Sequence, residues 1–208
     1  VAWPETRYDK RRSWYRVYDT EYAPNAFNPC STMDPADLSR GGRFHPIDDA
    51  AGQRIPTFYM ADHESSALAE TLLRLPAKGP KSVKLRDART HALTSVTLTH
   101  DLRLVDLTHS SLNGLLDNKL KQNFKIYGQT RDMAASIHAA EPWAHGLVWN
   151  GKQQGIIGHK CVMLFGDRVK KNAINAFEKH PLTSGYGQEK LWEAAVARGY
   201  RLPKSLRV

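Results

Sequence analysis

Stretches with strand periodicity and stretches with helical periodicity are interspersed along this chain without regular strand–helix–strand alternation. That irregular order limits the fold more than any other sequence feature. A doubly wound parallel sheet requires the alternation, so its absence predicts an α+β domain. Trp14–Tyr18 alternates aromatic and polar residues and reads as a first strand. Ile55–Ala61 reads as a buried strand, Val96 and Leu98 alternate with threonines, and Leu102–Leu107 is a further strand. Gly146–Trp149 and Cys161–Phe165 read as two strands joined by a glycine-rich loop. Asp62 is the expected N-cap of a helix over Glu64–Leu75 that Pro76 stops. Thr130 is the expected cap of a helix through Ala140, with Met133, Ile137 and Ala140 on one face, and a last helix is expected over Gly187–Arg198.

Three regions are expected: residues 1–13 as a loosely held basic arm, 14–170 as the main domain, and 171–208 as a helical extension packed on it. Residues 19–42 carry Pro24, Pro29, Pro35, Gly41 and Gly42 and read as a long irregular loop, a type that is often functional in compact domains. Hydrophobic residues make up 41% of the chain, enough for a core. Lys and Arg number 30 against 21 Asp and Glu, a net charge of +9 that suits nucleic acid, an anionic small substrate or an acidic protein. The densest basic clusters, Lys10-Arg11-Arg12 and Lys170-Lys171, are short, and no zinc-finger or basic-helix spacing occurs, so direct nucleic-acid binding is not expected. Cys30 and Cys161 lack metal-ligand spacing and read as two buried thiols in a reducing compartment. Apolar runs such as Val162–Phe165 are far too short to span a bilayer, and the N-terminus lacks a signal-peptide core. The expected location is therefore the cytoplasm, with no membrane partner.

Several residues admit both a bland and a chemical reading. Arg16 lies between Trp14 and Tyr18 on one strand face, as a surface arginine stacked on its neighbours or as an anion ligand. Gly41-Gly42-Arg43-Phe44-His45-Pro46 is an ordinary tight turn or a cradle of backbone N–H groups and a guanidinium for one anion. Tyr59 is a core tyrosine or the aromatic floor of a ring-binding site. Glu70 lies two residues from Leu68, so helical periodicity places it away from the stripe of Leu68, Leu72 and Leu75. The histidines are scattered, with no H-E-x-x-H, and no serine has a G-x-S-x-G context. No metal site, dinucleotide-type glycine loop or hydrolase nucleophile is indicated.

In order, Tyr15-Arg16-Val17, Gly41-Gly42-Arg43-Phe44, Phe58-Tyr59-Met60-Ala61-Asp62, Ala67-Leu68-Ala69-Glu70, Tyr127 to His138, Gly146-Leu147-Val148-Trp149 and Val162-Met163-Leu164-Phe165-Gly166-Asp167-Arg168 form a set that resembles the RES family over residues 14 to 170. The resemblance implies a small split β-core with flanking helices, like that of ADP-ribosylating toxins. It implies a toxin of a toxin–antitoxin pair that cleaves the nicotinamide–ribose bond of NAD⁺ by hydrolysis or phosphorolysis. Alternatives are an ADP-ribosyltransferase acting on a macromolecule, or a catalytically weak NAD-binding module. NAD⁺ would be a substrate and no cofactor would be needed; the partner would be a protein antitoxin, commonly of the DNA-binding Xre type. The family arginine falls on Arg16, the Gly-Gly-Arg arginine on Arg43, the pocket tyrosine on Tyr59 and the glutamate on Glu70. The family serine does not appear. The turn reads Asn150-Gly151-Lys152-Gln153, with Gly151 at the serine position and Lys152 where arginine often stands. Asn150 is a substitute hydrogen-bonding side chain if the turn shifts by one residue, and Lys152 is the candidate for holding a phosphate acceptor.

Overall fold

The computed structural model describes residues 3–34, 36–37, 41–74, 80–108, 125–151 and 159–208. Among these residues the period-two segments become nine strands: β1 Glu5–Tyr8, β2 Trp14–Asp19, β3 Thr57–Ala61, β4 His91–Leu98, β5 Leu102–Asp106, β6 Gly146–Asn150, β7 Lys160–Phe165, β8 Ile174–Ala176 and β9 His180–Pro181. Four helices accompany them: α1 Glu64–Thr71, α2 Leu85–Arg89, α3 Lys125–Ala140 and α4 Gly185–Ala197. The fold is α+β, as the irregular order predicts.

The strands form one sheet in the order β1-β5-β6-β7-β3-β2-β4-β8, with β9 also on β4. Only β5 and β6 run parallel. Alternation sorts the central strands onto two faces. Phe58, Met60, Val148, Val162 and Leu164 enter one buried cluster, whereas Leu147, Trp149, Cys161 and Met163 enter the other, with α1 and α4. The sheet curls. Tyr8 and Trp14 lie on strands five places apart in the sheet order, yet their rings meet edge to face at 5.2 Å.

One seam in the sheet is almost unpaired. β2 joins β4 through six residue pairs and β3 joins β7 through five, but β2 and β3 share the single pair Tyr15↔Ala61. Beyond that pair they diverge, and Thr57 bonds instead to Asn28 of the loop after β2, at 2.9 Å and 2.8 Å. The core is thus split between β2 and β3.

Several expectations are corrected. Residues 5–8, read as part of a loose arm, are the edge strand β1, fixed by four residue pairs to β5 and by a forked Arg103–Glu5 contact at 3.0 Å and 2.9 Å. The Arg103 and Arg7 guanidiniums hold the Glu5 carboxyl down at about 2. The cap of α1 is His63, whose Nδ1 accepts the Ser65 N–H at 3.2 Å; Asp62 instead faces Arg12 and His159, each at 3.5 Å. Helix α1 ends at Thr71, short of Leu75, which lies outside the described residues. Helix α3 starts five residues before Thr130, which is buried in mid-helix with its hydroxyl donated to the carbonyls of Tyr127 and Arg43. Residues 174–176 and 180–181 extend the sheet before α4 packs on α1, where Arg198 reaches the Ser65 carbonyl at 3.4 Å. Gly187 permits this passage: a Cβ there would lie 2.4 Å from the Pro181 carbonyl oxygen.

Removal of residues 1–9 deletes β1, uncovers the β5 edge and strips Tyr8 from Trp14. The expected result is a Tm lower by about 5–10 °C, since about 1 kcal/mol shifts Tm by about 2–4 °C in a chain of this size. Thermal denaturation of the shortened chain checks this, and an unchanged Tm would return β1 to the status of a dispensable arm.

Candidate functional site

The split between β2 and β3 opens into a cavity of about 530 Å³, within the range that holds small ligands. Its walls are β2 from Arg16 to Asp19, Thr57 and Tyr59 of β3, the end of α1, Trp149 of β6, the Arg43–His45 turn and the loop after β2.

Arg16 is not a surface residue stacked on its strand neighbours. Its guanidinium lies over the ring of Phe58 on β3, 3.9 Å from the centroid. Burial lowers its pKa to about 10, which still leaves it a cation. Its Nη1 is buried with no hydrogen-bond partner. Arg43 has the same property at Nη1. The turn that carries Arg43 is tied from within by Gly42 N–H on the His45 carbonyl at 3.0 Å. It is tied from outside by α3, where the Thr130 hydroxyl donates to the Arg43 carbonyl and Arg131 Nε to the Gly42 carbonyl at 3.4 Å. Gly42 is required there, because a Cβ would lie 2.4 Å from His45 Cε1.

Glu70 departs from its periodicity reading. Helix α1 is wedged between the sheet and α4, so Ser66, Ala67, Leu68 and Ala69 are all buried in sequence and no broad solvent face remains. Leu73, past the helix end, takes the buried place expected of Leu72. Glu70 therefore lines the cavity, half-buried, with Oε1 buried and unpartnered. Arg16, Arg43 and Glu70 thus line one space, and each keeps one buried side-chain atom without a partner among the described residues. A buried polar group left unpaired costs about 1–3 kcal/mol, more when charged, so this constellation is organised for a ligand that supplies the missing contacts.

Tyr59 meets its core reading and also lines the cavity. Its hydroxyl meets His45 Nδ1 at 2.8 Å, and its ring stands edge-on to Trp149 at 5.9 Å in the cavity wall. Burial raises the phenol pKa. Burial, with the Arg74 and Arg131 cations, depresses His45 to about 3, so the imidazole is neutral. Asn150 is not directed at the cavity: its Oδ1 accepts from Lys160 Nζ at 2.8 Å across the β6–β7 pair. Gly151 is buried beside the site. A Cβ on it would lie 3.0 Å from Cys161 Sγ and 3.8 Å from Glu70 Oε1. Lys152 lies outside the described residues. Cys161 is an unreactive thiol, its pKa pushed well up by burial and then by the Glu70 charge.

Sequence reasoning missed Arg74, His45, Trp149 and Arg131. Arg74 follows Glu70 by four residues, a helix-neighbour spacing that was a usable signal. Its Nε donates to the Glu70 carbonyl, and it lines the same cavity. None of Arg16, Arg43 and Arg74 forms an ion pair with a carboxylate among the described residues. The cavity is therefore suited to a ligand with several negative charges, an aromatic part and one group that Glu70 can stabilise. Among the described residues no group of three or more His, Cys, Asp or Glu is placed to hold a metal, and no helix is long and apolar enough to cross a membrane.

Comparison with curated proteins gives no match. Among solved structures, a chain of the crystal structure of the M. tuberculosis MbcT–MbcA toxin–antitoxin complex superposes with a TM-score of 0.58. Identity is 14%, over 90% of this chain and 89% of that one, a likeness of fold. The RES domain model matches residues 13–183, from the start of β2 through β8 and β9 and thus past residue 170. The match takes in both sides of the split and every described residue that brings charge to the cavity, and the chain belongs to the RES domain family.

Proposed function

We propose that this chain is a toxin-type enzyme that cleaves the nicotinamide–ribose bond of NAD⁺. The observation that carries the reading is that Arg16, Arg43 and Glu70, each with a buried side-chain atom unpartnered among the described residues, line one cavity. Two guanidinium forks match a pyrophosphate, since each presents paired N–H donors to phosphate oxygens. Tyr59 and Trp149 offer ring faces and edges to the nicotinamide. The bonded pair of the C1′–N1 bond passes to the nicotinamide nitrogen, which leaves uncharged, so no strong acid is required. Positive charge gathers on the ribose, and a fixed carboxylate beside it lowers the barrier. Two carboxylates line the cavity. Asp19 Oδ1 already accepts the Glu21 N–H at 3.0 Å, whereas Glu70 Oε1 is uncommitted. Glu70 is the stabilising group, and an oxygen of water, which releases a proton to solvent, or of phosphate then adds to C1′. No metal or bound cofactor is needed for these steps.

The structural likeness to a chain of a toxin–antitoxin complex supports a protein antitoxin as partner; we extend this to the Xre type, as the family resemblance implies, and to the cytoplasm as the place of action. One feature favours a weaker second reading, an NAD-binding module with slow turnover: Gly151 brings no hydroxyl to Glu70. Incubation with NAD⁺, with and without inorganic phosphate, tests the two. Nicotinamide release, with the mass of the ADP-ribose product, identifies enzyme and acceptor; binding without release selects the module.

Glu70→Gln is expected to lower nicotinamide release by about 10²–10³-fold, the usual effect of losing one preorganised electrostatic contact. Its Tm should be unchanged or slightly higher, because an unpaired buried charge is removed. Steady-state kinetics with a melting curve checks both, and undiminished turnover would eliminate the carboxylate role. Gly151→Ser places a hydroxyl within reach of Glu70 once Cys161 Sγ yields by a few tenths of an ångström. One added hydrogen bond to the carboxylate should raise kcat by about tenfold. If Gly151→Ser leaves kcat flat in a folded protein, with Cys161→Ala added to relieve crowding, position 151 has no part in the reaction.

A further inference from the structure

One wall of the cavity, residues 26–33, is irregular chain that runs through a disfavoured conformation. Cys30 has φ of 51°, the left-handed region that residues with a Cβ rarely occupy. Such a conformation persists only where its surroundings hold it. Here the holders are identifiable. Asn28 Oδ1 accepts the Cys30 N–H at 3.0 Å, and the Met33 N–H reaches the Cys30 carbonyl at 3.1 Å. A single guanidinium closes the arrangement: Arg54 Nη1 donates to the carbonyls of Cys30 at 2.5 Å and Met33 at 2.6 Å, while its Nε holds Asp48 Oδ1 at 2.5 Å. Arg54 does not line the cavity. It belongs to the turn 47–55, closed by Ile55 N–H on the Ile47 carbonyl at 3.0 Å and rooted in the core by those two isoleucines, each 2% exposed.

We propose that Arg54 is a positioning residue for the substrate site, which holds the Cys30–Met33 turn in its left-handed shape and so sets the affinity for the ligand. The proposal rests on the NAD⁺ reading above. Charge-assisted bonds to two carbonyls at once are strong and geometrically restrictive. Without them Cys30 relaxes toward ordinary backbone and the wall shifts. Glu70, the group at the reacting bond, stands on α1, apart from this turn, and stays in place. The effect therefore falls on binding and leaves the chemical step nearly alone.

The test uses the full chain and two measurements, NAD⁺ turnover and calorimetric binding of ADP-ribose. Arg54→Gln is expected to raise KM for NAD⁺ and Kd for ADP-ribose by about tenfold or more, with kcat changed by less than about threefold. Arg54→Lys, which keeps the charge but not the fork, should recover part of the loss. The deciding variant is Cys30→Gly, since glycine occupies the left-handed region at no steric cost. In that background Arg54→Gln should raise KM by less than about threefold. An Arg54→Gln effect of the same size in both backgrounds, or one on kcat in place of KM, overturns the proposal. Wild-type binding of ADP-ribose that Arg54→Gln leaves unchanged overturns it alone. A wild-type chain that binds neither NAD⁺ nor ADP-ribose overturns the NAD⁺ reading, and this proposal with it.

Discussion

The single residue pair between β2 and β3 is the constraint on which the rest of this structure depends. Full pairing along that seam would bring Arg16, Val17 and Tyr18 against Met60, Tyr59 and Phe58 in a continuous sheet, and no cavity would exist. Tyr15↔Ala61 is enough to make one sheet of nine strands, and the divergence beyond it is enough to make a site. Ladder groups that leave a sheet must be satisfied elsewhere. Thr57 finds Asn28, so the long loop after β2 closes the wound and becomes a wall. The irregular segment is thus part of the sheet's hydrogen bonding as well as of the cavity.

The site is held by residues that do not line the ligand space themselves. Helix α3 reaches across through Thr130 and Arg131 to fix the Gly42–Arg43 turn, and Arg54 fixes the opposite wall. Arg168 in turn ends α3, its Nη1 donating to the carbonyls of Glu141 at 2.7 Å and Ala144 at 2.8 Å. Arg131, Arg54 and Arg168 thus satisfy backbone carbonyls, while Arg16, Arg43 and Arg74 line the cavity without carboxylate partners among the described residues. Part of the chain's positive charge goes to each of these two uses, which a count of charges cannot separate.

Strand periodicity was legible because burial on both sheet faces follows a period of two: the central strands lie within two residues of their expected limits. Resemblance, more than periodicity, pointed to Arg16, Arg43, Tyr59 and Glu70, which line the cavity. Arg16 and Glu70 are ordinary solvent-facing positions by pattern, and their burial arises from long-range events, the divergence of β3 and the wedging of α1 between sheet and α4. β1 was illegible because its four residues ETRY carry almost no apolar signal, and what fixes them is an exposed ion pair and a partner 98 positions away. The Thr130 hydroxyl illustrates the same limit. A threonine before a helical pattern reads as a cap, but this one serves a turn 87 residues earlier in the chain.

In the proposed reaction, position 151 is a small change that weakens the site without dismantling it. The backbone there does what the fold requires, its N–H on the His159 carbonyl at 3.0 Å closing the end of the β6–β7 pair. What the position lacks is only a side chain, and the room it leaves is bounded by an inert thiol and by the carboxylate oxygen that has no donor. A carboxylate with no donor hydrogen bond is less restrained than one with a donor. Its charge still favours a cationic ribose, but its direction is less well set. Since electrostatic catalysis depends on groups fixed before the reaction begins, the glycine acts on the orientation of Glu70 and leaves the binding arginines untouched.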